Sequence, residues 1–420
     1  MARFKPMELI DKMSGKSQDI SATTNQPIVI SLDSWFLTPG SKKKRPSSAF
    51  FCIYAFFFVP LSPILPNWVK RQKIIIIQTY TMGLFSFTQE IAIDLGTANT
   101  IIICDDKVVV DEPSVVAISA ADNRMVAVGR RAQQMIGKGG NLIRTVRPLR
   151  DGVIADFYAC EMMIRGMIKM IPKQNRLFTP SIRMVVCIPS GSTEVEIRAV
   201  RDSSEHAGGR EVYMIYEPMA AAIGMGIDVE QPEGCMVVDI GGGTTEIAVM
   251  SLGGIVANKS IKIAGDDLNR DIVEYMGRTH NLRIDEPTAE RIKMQVGSAL
   301  PELEEAPEDY MVIGPNKVTA LPMQVPISYQ EIAHCMDKSI AKIESAILQA
   351  LEATPSELYA DIVKRGIYLT GGGALLHGLS KRLTDKITIP FHVAEDPLHA
   401  VARGTGVALK NVNNFGFLIR

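Results

Sequence analysis

Residues 236–245 read MVVDIGGGTT, an apolar run that ends in an aspartate and a turn of glycines and threonines. The apolar run predicts a short buried strand, and a second strand is predicted at 246–250. Glycines have no side chain, so their backbone N–H groups can approach phosphate oxygens closely, and threonines add neutral donors. The stretch therefore predicts a β-hairpin whose tip fits a phosphate group.

The same pattern occurs earlier in the chain. Residues 91–93 predict a strand, residues 94–100 read DLGTANT, and a strand at 101–103 completes a second hairpin. A single turn of this kind is most often an ordinary tight hairpin, but two of them favour facing hairpins that clamp one triphosphate. An acid in such a site would repel phosphate unless a cation lies between them. Asp94 and Asp239 are therefore predicted to hold Mg²⁺, through waters that the ion retains, against the β- and γ-phosphates.

A third glycine cluster, TGGGAL at residues 370–375, follows an apolar strand at 366–369. It is predicted to open a helix whose N-terminus would suit a nucleotide. From Met82 onward, apolar β-branched runs alternate with helical patterns. Together these features predict an α/β fold with a nucleotide site built from three glycine turns.

Composition limits the class of protein. With 420 residues and 46% hydrophobic content, the chain is long enough for two or three domains. Its 45 basic residues nearly balance its 46 acidic residues, so no summed charge attracts nucleic acid, and no nucleic-acid partner is predicted. The six cysteines are widely spaced without a CxxC pair, which favours a reducing compartment and argues against structural zinc.

Residues 1–81 differ in character from the rest of the chain. Lys42–Arg45 precede an apolar run at 49–59, which prolines then interrupt. The run resembles a signal sequence, but no small-residue cleavage site follows cleanly, and about a dozen residues are too few for the roughly 20 of a membrane-spanning helix. The preferred interpretation is that translation starts at Met82 and that these residues are upstream sequence read in frame. The alternative is a disordered or membrane-associating extension.

The segment EPMAAAIG at residues 217–224 lies between the first and second glycine turns. With the three turns, it makes the chain resemble the actin-like ATPases, and within them the MreB-like family, over essentially everything after Thr81. The resemblance implies an α/β actin-like ATPase fold, in which two ribonuclease-H-like domains flank a nucleotide cleft. The implied domains are residues 82–230, with a C-terminal return at 397–420, and residues 231–396.

The resemblance also implies which residues act on ATP. Glu217 would orient or polarise the water that attacks the γ-phosphate, and Thr244 would share this task. The residues implied to contact the nucleotide are Gly96, Thr97, Ala98, Asn99, Gly241, Gly242, Gly243, Thr244, Gly265, Asp266, Glu290, Arg291, Ile292, Lys293, Gly371, Gly372, Gly373, Ala374 and Leu375. Taken alone, Glu217 is more simply an acid at the positive end of a helix that has Pro218 in its first turn. Taken alone, Glu290 and Lys293 are an exposed ion pair on one helix face.

The implied function is that of a cytoplasmic filament protein on the inner face of the cytoplasmic membrane, which organises cell-wall elongation and maintains cell shape. Slow ATP hydrolysis would be coupled to polymerisation. The implied partners are further copies of the chain, the membrane surface, MreC, MreD and RodZ. Leu177 and Phe178 match the hydrophobic membrane loop of the family, and Gly83–Phe87 would add to the same surface. For both segments, packing into the protein's own core is the alternative.

Other proteins with the same core remain alternatives. The seventy-kilodalton heat-shock chaperones carry a long substrate-binding region after the ATPase, whereas here only about 45 residues follow the third glycine turn. Sugar kinases need a catalytic aspartate in place of Glu217, and none is convincing. FtsA-like division proteins have an inserted domain and an amphipathic anchor that are not apparent. A site that binds ATP as a structural switch with negligible turnover also stays open.

Overall fold

The computed structural model describes residues 88–172 and 181–420. Leu177 and Phe178, the segment Gly83–Phe87 and the extension at 1–81 lie outside the described residues. What the sequence predicts for these segments therefore stays a prediction.

The regular elements of the described residues are numbered in chain order. The strands are β1 Thr88–Leu95, β2 Asn99–Cys104, β3 Lys107–Pro113, β4 Val116–Ser119, β5 Met125–Val128, β6 Ile143–Val146, β7 Leu149–Arg150, β8 Val153–Ile154, β9 Ser181–Ile188, β10 Gly209–Tyr216, β11 Cys235–Ile240, β12 Thr245–Ser251, β13 Gly254–Ile261, β14 Tyr310–Pro315, β15 Pro322–Ile327, β16 Ile367–Thr370 and β17 Phe391–Val393. The α-helices are α1 Arg130–Gln133, α2 Phe157–Ile168, α3 Glu194–His206, α4 Glu217–Gly224, α5 Gly265–Thr279, α6 Glu286–Val296, α7 Tyr329–Glu352, α8 Ser356–Arg365, α9 Leu379–Ile387 and α10 Ala400–Lys410.

Two five-stranded sheets share one topology. The first sheet has the strand order β10-β9-β1-β2-β3, and the second has the order β13-β12-β11-β16-β17. In each sheet, two parallel strands extend an antiparallel three-stranded meander on the side of its first strand. We call β1–β10 with α1–α3 the first half, and β11–β17 with α5–α9 the second half. Mixed sheets packed against helices confirm the predicted α/β class.

Alternate residues of the central strands face different cores, because successive side chains of a strand point to opposite faces. Ile91 of β1 faces an outer core with α2 and α3, and Met236 of β11 faces the outer core of the second half. Ala92 and Val237, one position further along, face a central core that both sheets share with α4 and α10. Both faces of the central strands are therefore covered, which explains why they read as nearly continuous apolar runs.

Helices α4 and α10 cross in the central core with their backbones in contact. A Cβ atom added to Gly404 would lie 1.7 Å from the carbonyl oxygen of Ala220, and one added to Gly224 would lie 1.9 Å from that of Ala400. Such distances leave no room for a side chain at either glycine. The two glycines therefore fix how closely α4 and α10 approach.

Smaller elements are attached to each half. The three-stranded sheet β5-β4-β6 follows the first meander, and the hairpin β14-β15 lies between α6 and α7. Within residues 88–172 and 181–420, none of the helices combines the length and the apolar character that crossing a bilayer requires.

The third glycine cluster differs from its predicted structure. Gly372–Leu375 forms a single 3-10 turn, and α9 begins only at Leu379. Gly371 has φ 80° and Gly378 has φ 72°, so a positive φ on each side separates this turn from a continuous helix. The predicted helix start is therefore present only as a 3-10 turn, and no α-helix begins at the cluster.

Candidate functional site

The two predicted phosphate turns pack directly on each other. A Cβ added to Gly242 would lie 2.7 Å from Cβ of Ala98, and one added to Gly243 would lie 2.8 Å from Oγ1 of Thr97. A side chain at either position would collide with the first turn, so only glycine fits there. The hairpins that were predicted to face each other do so.

Neighbouring loops hold each turn in place. In the first turn, Ser114 Oγ donates to the carbonyl oxygen of Gly96 at 2.6 Å, and the backbone N–H of Gly152 donates to Thr97 Oγ1 at 3.1 Å. A Cβ added to Gly152, whose φ is 76°, would lie 2.8 Å from Cγ2 of Thr244. The loop at Gly152 thus touches both turns. The tip residues Ala98 and Asn99 remain exposed.

Helix α5 begins against the second turn. The backbone N–H of Gly265 donates to the carbonyl oxygen of Gly241 at 3.1 Å, and that of Asp266 donates to the carbonyl oxygen of Gly242 at 2.8 Å. The structure therefore brings the predicted edge residues Gly265 and Asp266 to the phosphate turns. Burial raises the pKa of Asp266 to about 6, and the nearby positive charge of Arg147 lowers it.

Two of the four residues at 290–293 that were predicted to contact the nucleotide reach this helix start. Lys293 Nζ donates to the carbonyl oxygen of Gly265 at 3.1 Å and to Glu290 Oε2 at 3.1 Å. Ile292 packs its side chain into the outer core of the second half, and Arg291 is exposed. The ion pair of Glu290 and Lys293 is therefore joined to the site, and the Lys293 side chain is only 14% exposed.

The third glycine cluster closes on the end of β11. A Cβ added to Gly371 would lie 2.4 Å from Oδ1 of Asp239, and one added to Gly373 would lie 2.3 Å from Cγ2 of Ile240. Ala374 is buried and Leu375 is exposed. The structure thus brings the third turn to the aspartate of the second turn. Gly372 lies between these two glycines and begins the 3-10 turn.

Three carboxyl groups, of which Asp239 is buried and Asp94 and Glu217 are half-buried, give the site an unusual charge. Burial raises the pKa of Asp94 to about 6, and a hydrogen bond from Cys187 Sγ to Asp94 Oδ1, 3.0 Å long, lowers it in part. Burial, Asp94 and Glu246 together raise the pKa of Asp239 to about 7. The pKa of Glu217 lies well above its ordinary value, first because of burial and then because of Glu246, Asp239 and Asp94. This concentration of acids favours a bound cation.

The residues present fit Mg²⁺. In the described part of the chain, no lysine or arginine is among the groups that set the pKa of Asp94 or Asp239. Carboxylate oxygens are ligands that Mg²⁺ accepts, and two carboxylates leave its other positions to water and phosphate oxygens, as this ion prefers. Asp94 and Asp239 would therefore hold a hydrated Mg²⁺.

An ion pair joins the two halves beside the site. Arg147 Nη1 of the first half lies 3.1 Å from Glu286 Oε1, at the start of α6 in the second half. It also lies 3.9 Å from Asp266 Oδ2. No sequence pattern marks this pair, because its partners are 139 residues apart.

Sequence reasoning also missed Glu246, although the sequence contains a signal for it. Every residue of β12, which reads TEIAVMS, is buried, and Glu246 is its one charged residue. Glu246 lies two residues after Thr244, which ends the second phosphate turn directly before β12 begins. A lone acid in a buried strand next to a phosphate turn is the pattern that points to it.

Comparisons with known proteins decide the family. The sequence model described as MreB/Mbl protein matches residues 88–416. The chain belongs to the MreB/Mbl family.

Relatives with established names support this membership. The cell shape-determining protein MreB of Escherichia coli (strain K12) is 46% identical over 335 residues, which cover 79% of this chain and 96% of that protein. The cell shape-determining protein Mbl of Bacillus subtilis (strain 168) is 44% identical over 328 residues, which cover 78% and 97%. A crystal structure of MreB 5 of Spiroplasma citri bound to AMPPNP has a TM-score of 0.73 at 34% identity and covers 78% of this chain and 97% of that chain. The family and the actin-like fold predicted from the sequence are thereby confirmed.

Proposed function

We propose that this chain is an ATP-dependent cytoskeletal filament protein that determines cell shape, with slow ATP hydrolysis coupled to polymerisation. The observation that carries the proposal is the direct packing of the second glycine turn on the first, with Asp239 buried and Asp94 and Glu217 half-buried beside it. Its relatives support it, because MreB and Mbl are named cell shape-determining proteins and the solved MreB 5 is bound to AMPPNP.

Each group has a role that follows from its position. The glycine turns offer backbone N–H donors to phosphate oxygens. Bound Mg²⁺ would neutralise charge on the β- and γ-phosphates. Glu217, in its ionised form, accepts a hydrogen bond from the attacking water and orients it, and Thr244 contributes from the second turn. The family resemblance assigns the face of Glu290 and Lys293 to contact with the adenosine.

Membrane binding is proposed for Leu177 and Phe178, on the inner face of the cytoplasmic membrane. Two apolar side chains would contribute roughly 1.5 to 3 kcal/mol each if fully buried in lipid. A monomer would therefore bind weakly, and a filament would bind through many such contacts at once. MreC, MreD and RodZ are proposed as partners on the family resemblance alone.

The test compares the wild-type chain with Glu217→Ala. We expect unchanged binding of a fluorescent ATP analogue and at least a tenfold slower release of phosphate, because a positioned base contributes about 10²- to 10⁴-fold. Glu205→Ala, an exposed position on α3, is the matched control. Phosphate release at the wild-type rate in Glu217→Ala would contradict the catalytic role of Glu217.

The same preparations test filaments and lipid binding. We expect ATP-dependent sedimentation with anionic liposomes, filaments by electron microscopy, and weaker lipid binding in a Leu177→Ser/Phe178→Ser variant. Lipid binding that the double variant leaves intact would exclude these two side chains as the anchor. A monomer that still hydrolyses ATP would contradict the filament proposal and favour a chaperone-like or small-molecule kinase activity.

A further inference from the structure

A buried carboxylate joins the two halves beneath the phosphate turns. Glu246 Oε2 accepts hydrogen bonds from Ser190 Oγ at 2.6 Å and from Ser190 N at 3.0 Å, and Glu246 Oε1 accepts one from Ser260 Oγ at 2.6 Å. Ser190 follows β9 of the first half, whereas Glu246 and Ser260 belong to β12 and β13 of the second. We call the contact of Ser190, Glu246 and Ser260 the serine–glutamate link.

Further contacts fix Ser190 to the second half. Asn258 Nδ2 of β13 donates to the carbonyl oxygen of Ser190 at 3.1 Å. A Cβ added to the next residue, Gly191, would lie 2.9 Å from Cβ of Ser260, so the backbones are close. The N–H, hydroxyl and carbonyl groups of Ser190 all therefore bond to the second half. If one half moves against the other, these hydrogen bonds must break or the residues that make them must move together.

The link acts directly on the elements of the site. In the β11–β12 ladder Glu246 is paired with Asp239, and in the β12–β13 ladder it is paired with Ser260. Residues opposite each other in a sheet place their side chains on the same face. Glu246 therefore lies on one face with Asp239, and Thr244, the last residue of the second turn, is two residues before it in the chain. A shift of Glu246 moves the second phosphate turn with it.

Burial of the Glu246 carboxylate lowers the stability of the fold. We therefore infer that its role is to fix the positions of the groups around it. Glu246 is 1% exposed, and no lysine, arginine or histidine of the described residues pairs with it, so neutral donors alone offset its burial. It also lies opposite another acid, Asp239, and like charges at opposite sheet positions are unfavourable. An apolar residue at 246 would avoid both costs but could not bond to Ser190.

We propose that Glu246 is a positioning residue for ATP hydrolysis: through Ser190 and Ser260 it holds Thr244 and Asp239 of the second half in register with the first phosphate turn. The inference rests on the proposed ATPase function and deepens it. Glu246 touches neither nucleotide nor water in this role. Misplacing aligned groups by about 1 Å can lower a rate up to 10²-fold without abolishing binding.

Three substitutions separate the hydrogen bonds of Glu246 from its charge. Glu246→Ala removes the link. Glu246→Gln removes only the charge, because its amide oxygen can accept both Ser190 bonds and its amide N–H can donate to the Ser260 hydroxyl. Ser190→Ala keeps the charge and removes one of the three bonds. Glu331→Ala is the matched control, since Glu331 Oε2 also accepts hydrogen bonds from the hydroxyl and the backbone N–H of one serine, Ser328, and its Oε1 is hydrogen-bonded to His280, just past the end of α5 that is far from the turns.

The measurements are kcat for phosphate release and the equilibrium Kd of a fluorescent ATP analogue, on the full chain with Mg²⁺. We expect kcat to fall about tenfold or more in Glu246→Ala and about threefold in Ser190→Ala, with Kd changed by less than about threefold. Glu246→Gln should restore kcat to within about threefold of wild type. Glu246→Ala/Ser190→Ala should be no slower than Glu246→Ala alone, because both changes break one contact.

Each other outcome counts against the proposal. A Glu246→Gln variant as slow as Glu246→Ala would assign the effect to charge, and wild-type kcat in Glu246→Ala would remove the role altogether. If Glu246→Ala fails to fold, Glu246→Gln and Ser190→Ala decide alone: a fast Gln variant with a slow Ser190→Ala supports positioning, and any other pair of rates overturns it. Absence of turnover in the wild type would instead overturn the proposed function, and this inference with it.

Discussion

In the folded chain the carboxyl group of Asp239 has a pKa of about 7, against an ordinary value of 3.8, and that of Asp94 has a pKa of about 6. A raised carboxyl pKa means that the folded chain holds a proton that the unfolded chain has released. The resulting stability is complete below the unfolded pKa and is lost as the pH rises through the folded value. The nucleotide-free chain should therefore be less stable at neutral than at mildly acidic pH.

Replacement of Asp239 by Asn tests this linkage. We expect the free energy of unfolding of the wild type to decline from pH 5 to pH 8, with Asp239 responsible for about 2 to 3 kcal/mol of the decline. The Asp239→Asn variant should show a flatter profile in denaturant titrations at pH 5, 6, 7 and 8. Asp122→Asn, at an exposed position, should keep the wild-type slope. Equal slopes in the wild type and Asp239→Asn would contradict the assignment.

At the residue scale, sequence patterns identified the side chains that are recognisable from their neighbours in the chain. Asp94 and Asp239 stand at strand ends before glycine turns, so pattern alone selected them. Cys187 and Ser190 could not be found in this way, because their partners lie 93 and 56 residues away in the chain. Only tertiary structure brings such pairs together.

Among the elements, the crossing of α4 and α10 depends on two positions. Gly404 lies where a side chain would overlap the backbone of Ala220, whereas a Cβ on Gly406 of the same helix would meet nothing nearer than Cγ2 of Ile103 at 3.5 Å. The same substitution at these two glycines should therefore have opposite effects on stability.

We expect Gly404→Ala to destabilise the chain by about 1 to 3 kcal/mol or more, because the two helices must move apart. Gly406→Ala should be neutral or stabilise by up to about 1 kcal/mol, because alanine favours the helix. Thermal unfolding of both variants measures the difference. A Gly404→Ala variant as stable as Gly406→Ala would show that the crossing does not depend on close backbone contact.

Strands and helices with strong local signals were predictable, and the third glycine cluster shows the limit. The hairpins at 91–103 and 236–250 follow from apolar runs around a turn. Gly371, one of the glycines that suggested a helix start, and Gly378, beyond the cluster, both adopt positive φ and leave only a 3-10 turn between them. A glycine run permits several backbone paths, and the contact with Asp239 selects one of them.

In the whole molecule, the pair of Arg147 and Glu286 joins the halves on the side of the site where α5 and α6 begin. Each partner is partly exposed, with 29% of the Arg147 side chain and 46% of the Glu286 side chain accessible. Solvent screening limits such a pair to about 1 kcal/mol. That is enough to change the rate at which the halves separate and release a nucleotide.

We expect Arg147→Gln and Glu286→Gln each to speed release of a fluorescent nucleotide by up to about fivefold, measured by stopped-flow displacement. The charge-swapped double variant Arg147→Glu/Glu286→Arg should recover part of the slow release, and the recovery should be incomplete because Asp266 also faces position 147. Arg165→Gln, which breaks an ion pair within α2, is the control. Release at the wild-type rate in both single variants would exclude a role for the pair.

The repetition of the glycine turn was visible in the sequence, but the repetition of the whole sheet was not. Long connections precede the parallel strands, which are β9, β10, β16 and β17. No local sequence pattern predicts the strand with which each of them pairs. The family resemblance supplied that arrangement, and the two identical sheet topologies agree with it.

The position of α10 affects how the chain is made. This helix covers the inner face of the first sheet, where Ala92 and Val185 lie, yet it follows the entire second half in the chain. A ribosome therefore releases β1–β10 well before their covering helix exists, while the second half can pair all of its strands once β17 emerges. We expect the half that is synthesised first to be completed last, and its uncovered apolar face to be where nascent chains aggregate.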